Sequence, residues 1–347
     1  MKSFSWSWNR LAVGAVVLFL LYMSLPIFLL LVLSLLASLL LLPLANFAER
    51  QLQRLNLSQD QRRNGAIILV FLLSATCLSF IGLNIFQPLI REIASFIATL
   101  PETINSLQQS FVRLLSESQD LYFALPVQIK EIVDTGAQKI LTFTITQINS
   151  LLQMITNLAP VAIQAVLLPF LVYYFLRDRE ELQEGSVKMF PVRRYPEIRS
   201  LLHELCDVLS KYVRGQITVC IIIGGFIFCG TSLLGVKYPL VLGLLSFLLG
   251  SIPYAGAIFA FIPALLLALS VSVDLALQVT ALYLFVSFLE NYFIVPKIMG
   301  KVAQLHPLII LLGMLLAANW FGLIGMILAV PVMATLKILI RFVWNWR

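Results

Sequence analysis

The sequence predicts an all-α fold: a polytopic helical membrane protein with two re-entrant helical hairpins of inverted orientation and an amphipathic helical external subdomain. The first observation is composition. Of 347 residues, 60% are hydrophobic and 12% charged, with a mean hydropathy of +0.95, whereas soluble domains carry about 25% charge. The second is a pair of apolar runs, Pro239 to Gly250 and Pro307 to Ala318. Each would make a helix of only ~18 Å against a ~30 Å hydrocarbon core, so neither crosses alone. The third is a stretch of lower hydropathy, 88–158, in which apolar residues recur three or four apart.

Leu11 to Met23 and Ile27 to Leu44 are two apolar runs separated by Ser24-Leu25-Pro26, with Arg10 before them and Arg50, Arg54, Arg62 and Arg63 after. They read as an uncleaved hairpin with both ends cytoplasmic, or as one long kinked helix, which would reverse the N-terminus. Gly65 to Phe86 is a third span. Together these form N-terminal membrane helices over 1–87. The external subdomain, 88–158, carries two amphipathic series, Ile93 to Leu114 and Ile129 to Ile155, punctuated by Pro101 and Pro126, and holds no catalytic grouping. Segment 159–214 returns to the cytoplasm through Pro160 to Leu176. It then forms an amphipathic helix with Ile198, Leu201, Leu205, Val208 and Tyr212 on one face, expected along the inner membrane surface. On this topology only Arg91, Arg113, Lys130, Lys139 and Lys237 of the 24 Lys and Arg lie outside. The formal charge of +7 is thus explained by topology, without a nucleic-acid partner. N- and C-termini are expected in the cytoplasm.

The final segment, 215–347, carries the functional signal. Gln216 to Val236 is a span, followed by the run from Pro239, a break at Ser251-Ile252-Pro253-Tyr254-Ala255-Gly256, and a return to Val273. A second span, Leu275 to Val295, is followed by the run from Pro307, a break at Asn319-Trp320-Phe321-Gly322, and a return to Ile340. Pro239 precedes Pro263, and Pro307 precedes Pro331, by the same interval of 24 positions. The two span-plus-hairpin units run in opposite directions, an arrangement found in secondary transporters, where broken helix ends aim backbone dipoles at a midplane site.

Within the second span, Thr280, Tyr283, Ser287, Glu290 and Asn291 fall within about 100° of arc, a polar stripe on an apolar helix. An ionisable group at membrane depth costs roughly 2.5–3.5 kcal/mol on insertion scales and turns to a bundle interior or wet cavity. Glu290 is therefore the leading site residue, able to take a proton or coordinate Na⁺, with Asn291, Ser287 and Thr280 supplying neutral oxygens. The bland alternative is a snorkelling or structurally paired carboxylate, since Pro296 and Lys297 follow closely. Ser251 and Asn319, at the two hairpin tips, are candidates to complete the pocket. Pro253, Gly256, Gly322, Gly325 and Pro331 are hairpin and hinge candidates, while Arg214 and Gln216 are assigned to lipid or structural roles. Cys77, Cys206, Cys220 and Cys229 have no metal-ligand spacing, so neither metal nor cofactor is expected. His203 and His306 are the only histidines and form no H-E-x-x-H, and no Walker motif is present, which argues against an enzyme and against direct use of ATP.

Arg214-Gly215-Gln216, Ile252-Pro253-Tyr254-Ala255-Gly256, Glu290-Asn291 leading to Pro296, and His306-Pro307 followed by Phe321-Gly322-Leu323-Ile324-Gly325 and Pro331 together resemble the autoinducer-2 exporter family. The resemblance covers nearly the whole chain, and Ala257 departs from the Pro expected in many relatives. It implies an inner-membrane permease assembled as a homo-oligomer, a pentamer, whose hairpin-bearing unit moves like an elevator. It also implies export of a small polar solute such as autoinducer-2, or, as in other members, Na⁺/H⁺ antiport. A channel would use intramembrane polar groups without needing two opposed hairpins, and a membrane scaffold would use the external subdomain.

Overall fold

The computed structural model describes residues 25–53, 58–81, 83, 87–96, 98–99, 102, 158–253, 255–300 and 305–344. The run from Leu11 to Met23, most of the predicted external subdomain and Tyr254 lie outside the described residues. All regular structure among the described residues is helical. The helices are α1 (Leu25–Leu52), α2 (Gln59–Ile81), α3 (Leu158–Arg177), α4 (Arg179–Lys188), α5 (Tyr195–Leu233), α6 (Pro239–Leu249), α7 (Ala255–Leu269), α8 (Val273–Leu289), α9 (Val295–Met299) and α10 (Pro307–Trp344). A further helical stretch occupies 87–96. Four helical segments, Leu29–Leu52, Val192–Leu233, Val273–Met299 and Pro307–Trp344, are long and apolar enough to cross a membrane. The chain divides into two compact units, Met1–Leu72 with Asn157–Ser200, and Leu73–Thr156 with Leu201–Arg347.

In the first unit, α1, α2 and α3 close a core of Leu42, Ala45, Ile67, Val70, Val172 and Leu176. Arg63 ties the three together at one end. Its guanidinium donates to Asn46 Oδ1 at 3.0 Å, to Glu49 Oε2 at 2.6 Å and to the Leu176 carbonyl at 2.7 Å, so its planar fork satisfies three acceptors at once. Ser34 and Ser38 are buried in α1 with their hydroxyls donating to the carbonyls of Leu30 and Leu35, which leaves no orphan polar group against the apolar neighbours.

The second unit is built on α5. The amphipathic helix and the span expected after it are one continuous helix of 39 residues. Gly215 between them is not enough to end a helix, because a single glycine costs only about 1 kcal/mol relative to Ala. The amphipathic stretch and the apolar stretch are therefore two parts of one helix rather than two elements. Downstream, α5 and α6 cross with their backbones close. A Cβ on Gly224 would stand 2.9 Å from the Gly243 carbonyl, and one on Gly243 3.0 Å from that of Gly224. The core around this crossing includes Val219, Ile223, Ile227, Leu242, Ala260, Val279 and Tyr283. The stretch 87–96 caps α6: Val241 N–H donates to Glu92 Oε2 at 3.2 Å, placing a carboxylate at the positive end of the helix. Fully buried Phe96 meets the Tyr238 ring edge-on at 5.8 Å.

Both predicted breaks are present as helix–break–helix geometry. Between α6 and α7 the ladder ends with Gly250 N–H on Ser246 O and Ile252 N–H on Leu249 O. Inside α10, Gly322 departs from helical backbone with φ 57° and ψ −137°. The second break is thus one residue and not four. A Cβ on Gly313 would lie 2.7 Å from Met333 Cε, whereas a straight helix would hold those positions about 30 Å apart, so α10 folds back on itself. A Cβ on Gly256 would lie 1.8 Å from the Leu249 carbonyl oxygen, and one on Gly325 2.1 Å from that of Ala317. Leu249 and Ala317 stand at the same offset from Pro239 and Pro307. The two hairpins therefore share a glycine seat as well as their proline spacing.

Candidate functional site

The helix that carries the polar stripe begins at a defined cap. Ser272 Oγ accepts from Leu275 N–H at 3.1 Å, and Asp274 sits in the first turn of α8. Ala276, Val279, Tyr283 and Val286 are buried on one side, while Leu277, Leu284, Phe285 and Phe288 are exposed on the other, as expected of a helix between a core and lipid. At Glu290 the helix widens into a π-turn over Glu290–Ile294. Pro296 supplies the cause: it has no N–H to bond one turn back, and its ring crowds the carbonyl there. Val295 N–H reaches instead to Glu290 O. In this turn Glu290 is half-buried and Asn291 exposed, and Asn291 Nδ2 donates to Ser287 O at 2.8 Å.

These side chains border a cavity of about 510 Å³ formed within the second unit by α5 to α10. Its polar groups are Tyr212 and Gln216 from α5, Ser246 from α6, Tyr283 and Ser287 from α8, and Glu290 and Asn291 from the π-turn. Gln216 Nε2 donates to the Gly250 carbonyl at 3.0 Å and so satisfies an acceptor freed by the α6–α7 break. Tyr283 O–H donates to Ala260 O at 3.2 Å and lies 3.4 Å from Ser246 Oγ, joining α8 to both arms of the first hairpin. Apolar walls come from Val219, Ile223, Ile252, Val286, Ile310 and Val330. Among the described residues no Lys, Arg or His lines the cavity, and none forms an ion pair with Glu290.

Of the residues singled out in the sequence, Glu290, Asn291, Ser287, Gln216 and Pro253 border this cavity. Thr280 borders a smaller neighbouring hollow of about 140 Å³ that shares Tyr283 and Ser287, and its hydroxyl donates to Ala276 O at 2.7 Å. Ser251 is not among the lining residues, and its hydroxyl donates to Leu248 O at 2.6 Å. Asn319 is exposed and does not line the cavity. Arg214 turns its Nε back to the Ser210 carbonyl at 3.0 Å, also outside the lining. Tyr212 and Ser246 were missed by sequence reasoning. Tyr212 falls in the apolar series of its helix, and Ser246 is a lone hydroxyl in an apolar run, so neither gives a local signal.

Residues 11–345 match the family described as AI-2E family transporter. Among curated relatives, the "Putative transport protein YrrI" of Bacillus subtilis is 30% identical over 240 residues, covering 69% of this chain and 68% of its own. The "Putative transport protein YueF" of the same organism is 27% identical over 79% of this chain and 75% of its own length. The "Putative permease PerM" of Escherichia coli K12 is 22% identical over 66% and 67%. With four helices long and apolar enough to cross a membrane, a half-buried carboxylate on a cavity and a family match over nearly its whole length, the chain belongs to the AI-2E family of transporters.

Proposed function

We propose that this chain is a secondary transporter of the cell inner membrane that exports a small polar solute by elevator-type alternating access, driven by H⁺ or Na⁺ at Glu290. The observation that carries the reading is the half-buried Glu290, without a cationic partner among the described residues, on a cavity of about 510 Å³. Pockets of roughly 300–1,000 Å³ suit small molecules, so the volume favours a metabolite-sized solute, autoinducer-2-like signals included, over a bare ion. Na⁺/H⁺ antiport is the second reading, favoured by a single carboxylate with Asn291 and Ser287 beside it. In this reading the two hairpins re-enter the membrane from opposite sides, the segment 215–347 is the moving unit, and 1–87, 88–158 and 159–214 are the parts it moves against. Gradient-driven flux in proteoliposomes, screened over small polar metabolites and over Na⁺/H⁺, tests it. Absence of any gradient-driven flux from intact protein overturns it.

Two further outcomes follow. In a variant lacking the four native cysteines, a cysteine at Gln119 should label from outside intact cells. One at Gly185, where a Cβ meets nothing within 4 Å, should not. The reverse pattern would invert the topology, including the cytoplasmic termini. The exposed apolar residues of α8 and α10 are expected to face lipid and neighbouring copies. Native mass spectrometry in mild detergent should then give a homo-oligomer, a pentamer by family resemblance, and a strict monomer would count against it.

A further inference from the structure

Resting on the transporter reading above, we propose that the solute held in this cavity is a small monovalent organic cation, an ammonium with an aliphatic body, exchanged one for one against the proton that Glu290 otherwise carries. The argument starts from charge. Among the described lining residues Glu290 is the only carboxylate and no Lys, Arg or His is present, so a phosphate or carboxylate would meet repulsion and no compensating cation from them. A carboxylate on a cavity walled by Val219, Ile223, Ile252, Val286 and Ile310 is neutralised in one of two ways, by binding a proton or by pairing with a cation. The two exclude one another, and that exclusion is the requirement for exchange.

Shape and the remaining polar groups narrow the class. A bare Na⁺ needs a tight shell of oxygens around it. The cavity is far larger than one ion requires. Beside these polar groups the described lining is aliphatic apart from Tyr212 and Tyr283, aromatic side chains of the kind that attract an alkylated ammonium as its charge leaves water. Tyr212 on α5 and Tyr283 on α8 are the other titratable groups among the described lining residues, and Cys220 on α5 interacts electrostatically with Glu290. None lines the cavity from α6, α7, α9 or α10 among the described residues. Lys297 and His306 lie outside the lining.

The charge balance is complete without a further participant. The cation binds as the Glu290 proton leaves to the same side; after reorientation the cation departs as a proton from the opposite side takes its place. One positive charge moves each way, so exchange is driven by a pH gradient and indifferent to membrane potential.

The test uses the full chain in proteoliposomes and permanently charged probes that cannot leak as free bases: tetramethylammonium, choline and tetraethylammonium. With the interior acidic, at least one should accumulate, at a rate unchanged when potassium and valinomycin clamp the potential. In detergent, adding that cation should release a proton for each cation bound. Glu290→Gln should release none, and Glu290→Asp, which keeps the carboxylate, should still release it and so guards against a folding defect. Gradient-driven flux of Na⁺ or of neutral ribose with no response to the three cations would overturn the cation assignment and leave the transporter reading standing. Cation flux that follows membrane potential overturns the one-for-one exchange. No driven flux of any probe from intact protein overturns both.

Discussion

Glu290→Gln is expected to cut gradient-driven flux by about 10- to 100-fold, the cost of losing one charged contact at a binding site of this kind. The amide keeps the size and most of the hydrogen-bonding capacity of the carboxylate but cannot take up or release a proton. Glu290→Asp should be milder, because it keeps the charge and only shortens its reach. The sequence left open a structural role in which Glu290 neutralises a buried cation, and removal would then leave that cation unpaired and lower stability by several kcal/mol. Among the described residues no such cation is present. Arg214 is turned to the Ser210 carbonyl, and the ion pairs of the second unit, Lys211–Asp207 and Arg341–Glu204, lie elsewhere. Thermal stability of the Gln variant should therefore stay close to wild type while flux, normalised to intact oligomer, falls. A variant with full flux and unchanged dependence on pH and Na⁺ would sink the assignment.

Much of this site could be read from the chain because its signals are local. Polar residues at helical spacing in an apolar run gave the stripe from Thr280 to Asn291, and a carboxylate in such a run has few inexpensive environments. The breaks read at Ser251-Ile252-Pro253-Tyr254-Ala255-Gly256 and Asn319-Trp320-Phe321-Gly322 were equally local, since proline and glycine write them into the backbone, although the second narrows to Gly322. What escaped depends on three-dimensional neighbours. Gln216 was assigned only a lipid or structural role, and the packing of α5 against the first hairpin is what brings its amide to the Gly250 carbonyl. Tyr212 reads as one more core residue until α8 is placed beside it. The π-turn could have been anticipated from Pro296, yet proline more often kinks a helix than widens it, so the sequence alone does not choose. The continuous α5 was missed for the opposite reason. A change from amphipathic to fully apolar composition looked like a boundary between elements, although the backbone has no breaker there.

Gly256→Ala and Gly325→Ala are expected to cost more stability than any other single-methyl change in the second unit. Neither glycine has a left-handed backbone, so the reason is space rather than conformational freedom. The added Cβ would stand 1.8 Å from Leu249 O and 2.1 Å from Ala317 O, and in both cases the obstructing atom is backbone at the end of the incoming helix. A flexible side chain could swing away, but a carbonyl at a hairpin tip moves only if the hairpin opens, so about 3 kcal/mol or more is expected for each. Gly322→Ala separates the two kinds of glycine requirement. Its φ of 57° is strained for any L side chain, yet nothing lies within 4 Å of its Cβ, which predicts about 1–3 kcal/mol. Gly185→Ala, on exposed α4 with nothing within 4 Å, should be neutral or stabilising by up to about 1 kcal/mol. Melting of the detergent-solubilised oligomer, followed by size-exclusion chromatography after heating, should rank Gly256 and Gly325 together as the least stable, then Gly322, then wild type and Gly185. Wild-type melting of either seat variant would mean that the incoming and returning helices are not in contact there. A large loss at Gly256 with none at Gly325 would argue that the two hairpins are not structural equivalents, and would remove the main support for an inverted repeat.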